Sequence, residues 1–155
     1  MNKTNAIRIL ESHDIKFDIK EYSVDEDDLS GESVADKIGA PHEEVFKTLV
    51  AKGDKTGYCV FCIPVNYDLD LKKAAKVSLN KSVELIKVKE LLPLTGYVRG
   101  GCSPIGMKKL FPTFIDETAQ LFDRIYISAG VRGMQIHINP NDLKNLINAE
   151  FADLI

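Results

Sequence analysis

The tract from Val45 to Val65 constrains this chain more than any other. Val45 to Ala51 and Tyr58 to Val65 are apolar, strand-forming runs, and Gly53-Asp54-Lys55-Thr56-Gly57 between them has the composition of a turn. A β-hairpin is expected. In its first strand Lys47 shares a face with Val45, Leu49 and Ala51, while Phe46, Thr48 and Val50 point the other way. Neither face is polar, so the lysine sits among apolar neighbours whichever side is core. Burying an ammonium without a partner is costly, and a functional cation is the natural reading. A lysine snorkelling at a sheet edge is the ordinary alternative.

A second segment stands out. Gly100-Gly101-Cys102-Ser103-Pro104-Ile105-Gly106 packs three glycines and a proline into seven residues. That is the composition of a rigid turn whose backbone N–H groups a ligand can approach closely. G-G and S-P also mark turns that bind nothing. Gly130-Val131-Arg132-Gly133 sets an arginine between glycines, suited to a phosphate or carboxylate, or to a plain surface turn.

At 155 residues and 45% hydrophobic content the chain suits one compact domain, 1–155, with a real core. Met1 to Asn5 lacks the apolar region of a secretory signal, and nowhere do about 18 apolar residues run uninterrupted. A soluble, cytoplasmic protein without a membrane segment is expected. Three cysteines make an odd count, so reduced thiols are expected. Cys59 and Cys62 have C-x-x-C spacing, yet in a strand they point to opposite faces and could not share an ion. His13 and His42 have no partners at ligand spacing, so no metal site is expected.

The net charge of −3 argues against tight sequence-independent binding of a long nucleic acid. Charge is nonetheless uneven. Asp25 to Asp28 and Glu32 are acidic, whereas Lys72, Lys73, Lys76, Lys81, Lys87 and Lys89 precede Arg99, Lys108 and Lys109. That stretch reads as a solvated face or a landing surface for an RNA end.

Along the chain, Thr4 caps a helix to about His13, a strand runs from Phe17 to near Tyr22, and Ser30 or Gly31 opens a helix stopped by Gly39. Leu69 to Lys76 and Val88 to Leu92 read as helices, the second ended by Pro93. Strands are expected near Thr113 to Ile115, Arg124 to Ser128 and Met134 to Ile138, with a last helix from Asn139-Pro140 to Ile147. The class is α+β.

Phe46-Lys47-Thr48-Leu49-Val50, the G-G-x-S-P-x-G core after Tyr97 and Gly130-Val131-Arg132-Gly133 together resemble the YbaK/ProX/EbsC group of aminoacyl-tRNA deacylases. That group is related to the editing domain of prolyl-tRNA synthetases. The matches span nearly the whole chain in the family's order. The resemblance implies a mixed, mostly antiparallel, barrel-like sheet surrounded by helices. It also implies trans-editing of mischarged Cys-tRNA(Pro), or Cys-tRNA(Cys), by cleavage of the aminoacyl ester, with the substrate's own thiol assisting. No cofactor is implied.

By the same resemblance Lys47 is the essential residue. Gly100, Gly101, Ser103, Pro104 and Gly106 wall the aminoacyl pocket and offer donors to the ester, with Tyr22 and Arg132 in support. Cys102 occupies the motif's variable position and receives no catalytic role. Gln135 stands where several cysteinyl-specific relatives carry an aspartate, which admits Ala-tRNA(Pro) as a second substrate. A non-catalytic module that binds the aminoacyl-tRNA end is the reading from another class. The implied partners are mischarged tRNA and prolyl-tRNA synthetase.

Overall fold

Local chemistry sets most of the helix ends. In the computed structural model, which describes residues 3–155, helix α1 (Asn5–Ser12) begins where the Thr4 hydroxyl accepts from the N–H of Ile7. Met1 and Asn2, the start of the segment read for a secretory signal, lie outside the described residues. Helix α2 (Gly31–Ile38) is capped by Ser30 and closed by Gly39 in the left-handed region. Asp70 caps α3 (Leu71–Val77), and Asn139 with Pro140 opens α5 (Pro140–Ile147).

Helix α4 (Val88–Thr95) corrects the expectation that Pro93 ends it. A proline this close to a helix end removes a single backbone bond. The stop comes three residues on, where Gly96 turns left-handed and its N–H bonds Leu92 O. Among the described residues no helix is long and apolar enough to cross a membrane.

The expected hairpin is present as β2 (Phe46–Gly53) and β3 (Gly57–Pro64), paired antiparallel from Phe46–Pro64 to Gly53–Gly57. It is the middle of a mixed sheet in the order β4 (Val83–Leu85), β2, β3, β5 (Thr113–Asp116), β8 (Glu150–Ala152). Here β4 is antiparallel to β2, while β5 and β8 add in parallel. A second sheet, antiparallel throughout, has the order β1-β7-β6, from β1 (Phe17–Glu21), β7 (Met134–Ile138) and β6 (Ile125–Ser128).

The α+β class stands, and one of the two sheets is mixed. Among the described residues the sheets do not close into a barrel: a single parallel bridge between Val45 and Tyr126 joins them just before β2. The two faces of β2 therefore serve different cores. Phe46 joins Cys62, Ile115, Ile127 and Ile136 beneath α1 and α5, whereas Leu49 and Ala51 join Phe61, Ile63 and α3. Cys59 and Cys62 fall into these separate clusters, as strand parity requires, and both are free thiols.

Candidate functional site

Among the described residues, strand β2 is paired to β3 along its whole length but has strand neighbours on its other edge only at the ends. Val45 bridges Tyr126 at one end, and Ala51 to Gly53 pair with β4 at the other. The stretch between is an open edge. Against it lies a cavity of about 370 Å³. Every residue from Val45 to Val50 lines it, together with Leu29 to Gly31 and Val34 at the start of α2, Leu85 to Val88 and Leu91 from β4 and α4, and Arg99, Gly100 and Cys102 from the glycine loop. Val65, with Ser128 and Gln135 opposite each other across β6 and β7, completes it. The size suits a small-molecule group.

The lining carries three cations, Lys47, Lys87 and Arg99, and no aspartate or glutamate. None of the three appears in an ion pair among the described residues. Lys47 is half-buried, facing Ile63 across the hairpin, and its Nζ lies 3.5 Å from Val65 O. Three cations without an ion pair around an apolar wall favour an anionic ligand; the half-buried Lys47 is the least screened of them, while Lys87 and Arg99 are exposed.

Two further features face this space. Gln135 is 5% exposed, and its Oε1 has no hydrogen-bond partner among the described residues, an orphaned acceptor of the kind native structures seldom leave. Burial pushes the Cys102 thiol up to about 12, so at neutral pH its sulfur is protonated and a poor nucleophile.

Of the residues expected at the site, the cavity brings together Lys47 and Gly100. Gly101, Ser103, Pro104 and Gly106 lie outside its lining, as do Tyr22 and Arg132. Their positions have structural causes. The Gly101 N–H is used by Val98 O, and a Cβ there would meet the backbone of Val131 and Arg132 at 3.1 Å. Ser103 is fully buried and accepts from the N–H of Ile105.

Gly106, at φ +79°, packs beneath Asn5 and Tyr97, whose hydroxyl donates to Ile105 O. Arg132 donates from Nε to Arg99 O at 2.8 Å, pinning the glycine loop to the turn between β6 and β7. Tyr22 packs beside Ala35, Ile38, Val45 and Val65, behind the α2 wall. Sequence reasoning missed Thr48, Lys87 and the α2 and α4 walls, which lie far apart in the chain. Only the lysine run and the F-K-T-L-V match pointed toward any of them.

The family model of the aminoacyl-tRNA editing domain matches residues 26–146, which include every segment of the cavity wall. EbsC of Enterococcus faecalis, a protein named for Cys-tRNA(Pro)/Cys-tRNA(Cys) deacylation, is 51% identical over 152 residues, covering 98% of this chain and 93% of that protein. A solved structure described as a trans-editing enzyme for prolyl-tRNA synthetase superimposes with a TM-score of 0.82 at 24% identity, covering 99% of this chain and 98% of the other. The structure of a hypothetical protein gives a TM-score of 0.85 at 19% identity, over 95% and 96%. At these identities the two structures speak for the fold alone. The match over 26–146 and the near-full-length similarity to EbsC are far more specific, and the chain belongs to the aminoacyl-tRNA editing domain family.

Proposed function

We propose that this protein deacylates mischarged aminoacyl-tRNA in trans, with Cys-tRNA(Pro) as its main substrate and Cys-tRNA(Cys) as a further one, and that the whole chain, 1–155, acts as one domain. The observation that carries this reading is the cavity itself: an apolar space for a small side chain, ringed by Lys47, Lys87 and Arg99 without a carboxylate. A terminal nucleotide bearing a phosphate and a small acyl group fits that charge pattern. Lys47 fixes the substrate at the ester, Gly100 forms part of the acyl wall, and Gly101, Ser103, Pro104, Gly106, Tyr22 and Arg132 hold that wall in place.

The chemistry is substrate-assisted. The cysteine Sγ forms a bond to its own ester carbon, the ester C–O bond breaks, and the ribose oxygen takes the thiol proton. The protein contributes orientation and charge stabilisation. Such a second site is needed because a pocket for proline rejects small apolar side chains only by roughly 10- to 200-fold per methylene. Prolyl-tRNA synthetase is the partner this reading places upstream, and the cytoplasm the compartment.

A second substrate, Ala-tRNA(Pro), is favoured by Gln135, since a neutral amide cannot draw the proton from a substrate thiol as a carboxylate could. Deacylation of Cys-, Ala- and Pro-tRNA(Pro) side by side tests both. The expected result is rapid loss of Cys-tRNA(Pro), slow loss of Pro-tRNA(Pro), and a fall in kcat/KM of roughly 10²- to 10³-fold for Lys47→Ala. If Cys- and Ala-tRNA(Pro) survive, or Lys47→Ala matches wild type, the reading fails.

A further inference from the structure

The open edge of β2 holds a recognition element that no side chain supplies. Along an antiparallel ladder, alternate residues turn both N–H and C=O to the same side. Val50 O accepts from the N–H of Ile86, on the side away from β3. Thr48, two residues earlier, therefore turns its N–H and C=O to that side as well, where β2 has no strand beside it and the cavity begins. Its side chain goes elsewhere, the hydroxyl standing 3.8 Å from Cys62 Sγ. The main chain of Thr48 is thus presented to the cavity, and nothing else in the hairpin needs it.

We infer that Thr48 binds the aminoacyl group as a one-residue β-strand. In an antiparallel hydrogen-bonded pair, two facing residues exchange both of their N–H···O bonds. An esterified amino acid carries the same two groups, an α-ammonium and a carbonyl, on one residue. The ammonium donates to Thr48 O while the ester carbonyl accepts from Thr48 N–H. This rests on the aminoacyl-ester reading above and adds how the α-amino group is read.

Two observations favour this placement. The cavity lining has no carboxylate, so an ammonium entering it must find a neutral oxygen, and the edge supplies one. The donor is also a rigid backbone N–H aimed where negative charge grows as the ester is attacked. Recognition through main chain leaves the acyl side chain free to be judged by the cavity walls. An ester without its α-amine should accordingly be a poor ligand.

The test needs no catalysis. Isotope-labelled protein is titrated with 3′-cysteinylamino- and 3′-alanylamino-3′-deoxyadenosine, in which an amide replaces the ester, and with the matching acyl analogues lacking the α-amine. The expected result is a Thr48 amide resonance that moves on binding, and at least tenfold weaker binding by the desamino compounds. Equal binding by the two sets, no change at Thr48, or no binding at all overturns the inference.

Kinetics then separate backbone from side chain. Thr48→Pro removes the donor without touching the β2–β3 ladder, a placement strand edges tolerate, and Thr48→Val removes only the hydroxyl. Thr48→Pro should lose at least tenfold in deacylation rate with its circular dichroism unchanged, and Thr48→Val less than threefold. If Thr48→Val falls as far as Thr48→Pro, the hydroxyl is the agent and the inference fails. Analogue binding at Thr48 with no deacylation of any tRNA would instead refute the deacylase reading and leave this one standing.

Discussion

Lys47 and His137 show how differently one polar group can sit in a β-sheet. Lys47 lies on the open edge of β2, half-buried, with a carbonyl as its nearest acceptor. His137 lies instead on β7, its ring stacked on Tyr126 with centroids 4.0 Å apart and planes 7° from parallel. Burial, with Arg124 nearby, holds the His137 imidazole below its ordinary value. The unfolded chain thus takes up this proton first, near pH 6.5. Stability from a neutral His137 is complete above that value and is lost as pH falls from there through the lower folded value. His42 runs the opposite way, because its hydrogen bond with Asp36 raises its pKa. Its contribution is complete below the unfolded value and is lost as pH rises through the folded one. His137→Phe keeps the stacking area and removes only the acid-side loss. Urea unfolding at pH 7.5 and 5.5 should show wild type losing more stability on acidification than His137→Phe. Parallel losses would show that the stacked ring titrates as freely as in the unfolded chain.

Among the elements, those with their own signals were legible in the sequence and those made by neighbours were not. The hairpin was readable from two apolar runs and a turn, and α1, α2 and α5 from Thr4, Ser30 with Gly39, and Asn139 with Pro140. Strands β4 and β8 have three residues each and exist because β2 and β5 offer edges to pair with, which no local pattern reveals. The site divides in the same way. Lys47 was conspicuous because a strand of apolar residues surrounds it, whereas the walls from α2, α4 and Gln135 meet it only through tertiary packing. The glycine loop was found by composition, but its packing decides what each glycine does. Gly100 faces the cavity, while Gly101 lets the loop lie on the backbone of the 130–133 turn. Gly101→Ala should therefore push the two loops apart, costing about 1–3 kcal/mol, and should weaken deacylation through the displaced Arg99 and Gly100. Thermal unfolding and kcat/KM measured together check this; an unchanged melting temperature would mean that the turn yields without cost.

Over the whole molecule, charge separates into a net negative body and a locally positive mouth. The chain carries −3, with acidic residues crowded into 25–28, yet the cavity wall presents Lys47, Lys87 and Arg99 without an ion pair among the described residues. A protein that gripped the body of a tRNA would need many phosphate contacts, and its affinity would collapse with salt. Three cations gathered at the cavity suit an end rather than a body. With three cations meeting the single-stranded terminus at about 0.7 released counterions each, log Kobs against log salt concentration should have a slope of roughly −2. Binding of uncharged tRNA(Pro) followed across a range of potassium chloride concentrations measures it. Lys87→Ala should make the slope shallower by about 0.7 and weaken binding at low salt more than at high. A slope steeper than about −5 would mean that a wide surface, including lysines outside the cavity lining such as Lys72 and Lys76, holds the tRNA body. Phosphate contacts carry no sequence information, so discrimination among tRNAs would still need base contacts on that surface. A slope near −2 leaves that discrimination to whatever delivers the acylated end, and confines this protein to judging the small group attached to it.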